Sequence, residues 1–234
     1  MHSPFVPGFW AYLINCLFTL LIPVCDGACG CCGKMEENNA GDNMNLCESC
    51  EAAEAKIVLS MEPNSMHLCS NCYNELMAKE LDLKLEQLPD TFSLKDHQGI
   101  SRTFEVDRRI HPIGICLEAI ETIEFGYKFA VHGELDCDQL ELLTKLIAKT
   151  RKGIAKKQVE TNAFPNGQIL YSIIDDQVTG IIEYDDTSDG TPLVIIDGNP
   201  FTWEEVGKMV MSFEGFQIKI KMYDVTDDVE EESD

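Results

Sequence analysis

"LCESC" at residues 46–50 is repeated in outline by "LCSNC" at residues 68–72. Together they set Cys47, Cys50, Cys69 and Cys72 in a C-x2-C-x18-C-x2-C array. A Cys-x-x-Cys turn supplies two thiolates from one tight knuckle, and two knuckles complete the tetrahedron of soft ligands that Zn2+ prefers. The intervening "AKIVLSMEPNSMHL" can fold back to bring them together, with strand character over 56–61, a turn over 62–65 and a return over 66–68. A thioredoxin-like redox pair is the competing reading. It needs one such pair on a βαβ pattern, and no such pattern surrounds these two pairs.

After the second knuckle, Tyr73, Met77, Leu81 and Leu85 recur every fourth residue, with Leu76 beside them. The spacing predicts an amphipathic helix reaching residue 88. Cys72 then lies in its first turn, where free N–H groups and the helix dipole favour a thiolate. Knuckle, hairpin, knuckle and helix over residues 46–88 resemble a treble-clef or zinc-ribbon module. The resemblance implies a structural Zn2+ held by the four cysteines. His67, two residues before Cys69, is read as a hairpin residue.

Composition limits the partners of this module. Between residues 47 and 90 there are three lysines and no arginine against nine acids. Four thiolates on Zn2+ add a further formal −2. A phosphate-binding surface needs cations, so nucleic acid is not the expected partner of the head. The whole chain of 234 residues carries a formal charge of −23, which favours solubility or basic partners. Its eleven cysteines cannot all pair within one chain, and a reducing cytoplasm is the expected location. Cys116 and Cys137 read as small buried apolar residues.

The first 34 residues differ from the rest. No charge occurs from Ser3 to Cys25, and "CDGACGCCGK" follows with Cys25, Cys29, Cys31 and Cys32. Residues 5–25 suggest a membrane anchor, yet a signal peptide would carry a basic flank before the apolar run. Met35 and Met44 are credible starts, so residues 1–34 are expected to lie outside the working protein, with anchoring as the alternative.

Beyond the head (45–88), residues 89–98 read as a linker, 99–224 as an α+β domain and 225–234 as a disordered acidic tail. Alternation predicts strands at 103–108, 113–117 and 127–132, then a helix over 138–152 with Leu140, Leu143 and Ile147 on one face. Strands follow at 168–174, 178–184 and 193–196. Thr202 and Glu205 form a capping box for a second helix ending near Gly215. "FQIKIKMY" at 216–223 alternates strictly and predicts a last strand. The fold class expected is α+β: a four-cysteine head, then a mainly antiparallel sheet domain with two packed helices. The layout, carried by "LCESC…LCSNCYNELM" and "DGNPFTWEEVGKMVMSFEGFQIKIKMYD", resembles uncharacterised zinc-ribbon-headed proteins of Bacillus-like bacteria, a resemblance that implies no activity.

Other chemistry is weaker. His132-Gly133-Glu134 is half of a zinc-deaminase signature whose Pro-Cys-x-x-Cys half does not follow it. No phosphate-binding glycine loop and no G-x-S-x-G or H-E-x-x-H motif occurs. The expected function is a zinc-stabilised, non-catalytic binding or regulatory protein acting on a protein partner. One alternative is a nucleic-acid regulator using Lys145, Lys149, Arg151, Lys152, Lys156 and Lys157; cations at a helix C-terminus also simply complement its dipole. Another is a metal-dependent enzyme using Asp175, Asp176, Glu183 and Asp197.

Overall fold

The computed structural model describes residues 46–229 apart from 62, 63, 186, 188 and 189. The apolar segment 1–34 with Cys25, Cys29, Cys31 and Cys32, and the last acidic residues, lie outside the described residues. No helix among those described is long and apolar enough to cross a membrane. The chain divides into two compact units, with the boundary after Cys72.

In the first unit, β1 (Ile57–Met61) and β2 (Asn64–Leu68) form an antiparallel hairpin, with Ile57 opposite Leu68 and Met61 opposite Asn64. The predicted return strand therefore begins at Asn64, inside the expected turn. Helix α1 (Ser70–Glu80) starts at the second knuckle. It stops eight residues short of the sequence expectation. Asp82 adopts φ +54°, the Leu83 N–H donates to the Ala78 carbonyl at 2.8 Å, and the Asp82 N–H donates to that of Lys79 at 3.5 Å. This is a Schellman ending with aspartate where glycine is usual.

The second unit is built on a four-stranded antiparallel sheet in the order β3 (Thr91–Lys95), β4 (Ser101–His111), β5 (Gly114–Glu121) and β6 (Lys128–Gly133). The expected linker thus contributes an edge strand, because Phe92 and Leu94 alternate inward beside Phe104 and Arg102. Helix α2 (Gln139–Ile154) covers one face, burying Leu142, Leu143, Leu146 and Ile154 against Phe104, Ile115, Leu117 and Ala119. The buried stripe is rotated from the predicted one, and Leu140 is exposed. Asp138 caps the helix, accepting from the Leu140 and Glu141 N–H groups at 2.9 Å.

A second small core follows, of Val159, Ile196, Phe201 and Met209. It is enclosed by the hairpin of β7 (Val159–Ala163) and β8 (Ile169–Ile173), and by a three-stranded sheet in the order β11 (Asn199–Phe201), β10 (Leu193–Ile196), β9 (Ile181–Glu183). Strands β7 and β11 were not anticipated. Asp197 (φ +52°) and Gly198 (φ +67°) form the two-residue turn joining β10 to β11, the left-handed pair that a tight hairpin requires. Helix α3 (Trp203–Met209) continues into a 3-10 turn at Val210–Phe213. The expected capping box is present: Thr202 Oγ1 accepts from the Glu205 N–H at 3.2 Å, and the Glu205 carboxylate accepts from the Thr202 N–H at 2.9 Å. Thr202→Ala should cost about 1 kcal/mol in chemical denaturation, since it removes the Thr202 Oγ1 acceptor of the Glu205 N–H from a seven-residue helix, while the Thr202 N–H can still donate to Glu205. The predicted strand at 216–223 is not formed among the described residues. The fold class is α+β with mostly antiparallel sheet, as expected.

Candidate metal centre

The first knuckle is shaped by its own backbone. The Cys47 N–H donates to the Ala53 carbonyl at 2.8 Å and the Glu51 N–H to that of Cys47 at 2.8 Å, with Glu51 at φ +54°. The Glu48 N–H donates to the His67 carbonyl at 2.9 Å, tying this knuckle to the strand that leads into the second. The hairpin then returns the chain so that the sulfurs of Cys47, Cys50, Cys69 and Cys72 all lie within 4.8 Å of one another. Among the described residues, this is the one group of His, Cys, Asp or Glu side chains so disposed. His67 stays in β2 opposite Val58, outside the group.

Cys50 Sγ lies 3.9 Å from Cys69 Sγ, far beyond a disulfide bond of about 2.05 Å, and all four cysteines are free. A tetrahedron with metal–sulfur bonds of about 2.3 Å has edges of about 3.8 Å, so the spacing fits one metal ion. Helix α1 contributes as well: the Cys72 N–H points at Cys69 Sγ at 3.5 Å. Cys47 and Cys69 are buried, Cys72 is half-buried and Cys50 is exposed.

The thiols differ in acidity. Burial pushes Cys47 up, but backbone N–H groups of Cys69, Cys50 and Ser49 outweigh it and bring the thiol down to about 6. At Cys72 the Ser49 side chain lowers the value, while Cys69, burial, Cys47 and Cys50 raise it to about 12. One sulfur takes the negative charge readily and the last resists it. A divalent cation removes that conflict by neutralising the crowded thiolates.

The other candidate residues do not converge. Asp175 pairs with Lys156 at 2.9 Å and Glu183 with Lys128 at 2.6 Å. Asp197 accepts from the backbone N–H groups of Gln158 and Val159 at 2.7 and 2.9 Å, tying β7 to the β10–β11 turn. Its role is structural. His132, Glu134 and Cys137 line a cavity of about 270 Å3 with Asp136, Glu141 and Lys145 but form no metal-ligand group.

The basic cluster is partly neutralised. Lys145 pairs with Glu141 at 2.9 Å. Lys149 Nζ donates to the carbonyls of Val225, Thr226 and Asp227 at 3.1, 3.0 and 2.6 Å and lies 3.6 Å from the Asp228 carboxylate. The first residues of the expected tail thus form a turn at 225–227 whose carbonyls meet Lys149 of α2.

These features define a small four-thiolate module followed by an α+β body with two separate cores. Three stretches of the chain are similar to known families: residues 46–84 to a domain of unknown function (DUF7685), residues 86–155 to a domain of unknown function (DUF7686) and residues 158–227 to a domain of unknown function (DUF7713). The last two stretches coincide with the two cores, which are centred on α2 and α3. No curated protein and no solved structure matches the chain.

Proposed function

We propose that this protein is a zinc-stabilised, non-catalytic binding or regulatory protein acting through protein–protein contacts. The carrying observation is the convergence of four cysteine sulfurs within 4.8 Å. A tetrahedral ion with four protein ligands has no position left for water or substrate, as in structural zinc sites. Soft thiolates on tight knuckles select Zn2+ over the hard cations, and the hairpin-then-helix order supports a treble-clef or zinc-ribbon type of site. Free thiols suit the reducing cytoplasm. The acidic surface favours a protein partner over a polyanion.

The purified protein should contain about one zinc per chain, with X-ray absorption showing four sulfur neighbours at about 2.3 Å. Preparations from zinc-replete cells that carry no metal, or an oxygen-rich coordination shell, would overturn the assignment. Affinity capture on the metal-loaded chain should recover a protein and no nucleic acid.

A further inference from the structure

Helix α2 carries one acid and four cations in a chain whose net charge is −23. Lys145, Lys149 and Lys152 lie four and three residues apart, so they form a stripe along one face of the helix. The three are not equally accessible. The Lys145 side chain is 64% exposed and Lys152 is exposed, whereas the Lys149 side chain is 17% exposed. What meets Lys149 is the beginning of the chain's own acidic end.

The turn that makes this contact is closed by its own side chains. The Asp224 carboxylate accepts from the Thr226 N–H at 2.9 Å and from the Thr226 hydroxyl at 2.6 Å, and the Asp227 N–H donates to the Asp224 carbonyl at 3.0 Å. Folded this way, it gathers three consecutive carbonyls, of Val225, Thr226 and Asp227, around one ammonium, with the Asp228 carboxylate beside them. Residues 224–234 contain seven acids and no cation, so their sequence is the charge complement of the stripe. A cation that merely complemented the helix dipole would need no such cage.

We infer that this end of the chain is an autoinhibitory segment: residues 224–228 occupy the Lys145, Lys149 and Lys152 stripe in place of an acidic segment of a protein partner, which gains the stripe when the turn leaves. The groups that hold Lys149 are peptide carbonyls and one carboxylate, the chemistry of an acidic peptide and not of a phosphate backbone. A segment tethered beside its own site acts at an effective concentration on the order of 1 mM, so a docked segment has an intrinsic Kd below that. With a Kd of about 0.1 mM, the tethered segment would weaken a competing peptide about tenfold. The net charge of −23 opposes an acidic ligand at a distance, but at physiological salt it is screened beyond about 8 Å, and the local lysines then decide.

This inference rests on the protein-binding reading and names the chemistry of the partner. Affinity capture and metal analysis test that reading itself, so the two can fail separately. Asp224→Ala with Asp228→Lys, in the full chain, removes the acceptor that closes the turn and sets a cation beside the Lys149 ammonium; both residues are exposed, so circular dichroism should not change. Mild amine acylation mapped by mass spectrometry should then modify Lys149 several-fold faster than in the parent, with Lys145 as the internal reference. The probe for the partner is a fluorescent peptide of residues 223–234. At physiological salt it should bind the variant with a Kd on the order of 0.1 mM and the parent about tenfold more weakly. Adding Lys149→Glu and Lys152→Glu to the variant should abolish the binding. Equal binding to parent and variant, no binding to the variant, or unchanged Lys149 acylation would overturn the inference. A DNA duplex that displaces the probe at a lower concentration than the unlabelled peptide does would also overturn it, by making the stripe a polyanion site.

Discussion

Replacing Cys50 or Cys72 with serine should release the metal and unfold residues 46–72, while the unit from Tyr73 onward keeps its fold. A serine hydroxyl stays protonated near neutral pH and is a poor substitute for a thiolate. Losing a ligand should weaken the metal by more than the ~10–100-fold that follows loss of an outer-shell partner. Little else orders the head. Besides Cys47 and Cys69, Leu68 is its one fully buried apolar side chain among the described residues. One buried leucine is worth about 1.5–3 kcal/mol, while ordering each residue's backbone costs about 1–2 kcal/mol. The later turns of α1 should persist, because the Asn74 amide is clamped in the second unit. Its Nδ2 donates to the Arg108 carbonyl at 2.6 Å, and its Oδ1 accepts from the Ile110 N–H at 3.1 Å. Hydrogen exchange with metal analysis reads both halves of the result, and Cys116→Ser, in β5 and outside the sulfur group, is the control. Retention of metal and of protection at 46–72 in the Cys72 variant would remove the cysteine cluster from its structural role.

The cysteine cluster was legible in the sequence because spacing alone fixes a knuckle: two residues between thiols are a local constraint that no distant contact alters. The Thr202–Glu205 capping box was legible for the same reason. What failed was decided at longer range. Leu81 and Leu85 continue the helical period, but Asp82 adopts the left-handed conformation, and a non-glycine ending leaves no mark in composition. The segment beyond is then held by side chains far away in sequence: Arg108 donates to the Glu86 carbonyl at 2.9 Å and to Gln139 Oε1 at 2.8 Å, and Gln139 donates to the Lys84 carbonyl at 2.9 Å. Strand β3 was read as a linker because its Ser, Lys and Thr resemble loop composition, although Phe92 and Leu94 already alternate. Strand β11 was missed although Asp197-Gly198 is a strong hairpin signal, since Pro200 argues against a strand away from a sheet edge. The run at 216–223 is the opposite case: the pattern is plain, yet no strand forms there among the described residues.

Arg102→Met should be the most damaging single change in the body, costing about 3–5 kcal/mol at neutral pH. Arg102 sits on the inner face of the sheet and bridges two carboxylates, with Nε 2.9 Å from Asp96 and a terminal nitrogen 3.0 Å from Glu121, whose side chains are 0% and 3% exposed. The guanidinium also lies over the Tyr127 ring, 5.7 Å from its centroid. Removing it leaves two buried acids held by backbone N–H groups alone: Gln98 and Ile100 at 2.8 and 3.0 Å on Asp96, and Tyr127 at 3.0 Å on Glu121. Arg102→Lys should fall between, because an ammonium is a point charge and does not reproduce the fork that serves both acids. The pH response separates this from simple loss of packing. Burial pushes the Asp96 carboxyl up, but the Arg102 hydrogen bond and the Gln98 and Ile100 N–H groups more than reverse it, holding Asp96 below the usual carboxylate range. A depressed folded value means that this contribution is complete above about pH 4 and is lost as pH falls through the folded value. Without Arg102 the Asp96 carboxyl rises, so the variant gains relative stability on protonation. The gap between parent and variant in chemical denaturation should therefore narrow as pH falls through about 4 and below. A loss under about 1 kcal/mol at pH 7, the range of an exposed ion pair, or a gap that stays constant with pH, would show that Arg102 acts as surface packing and not as the bridge between two buried acids.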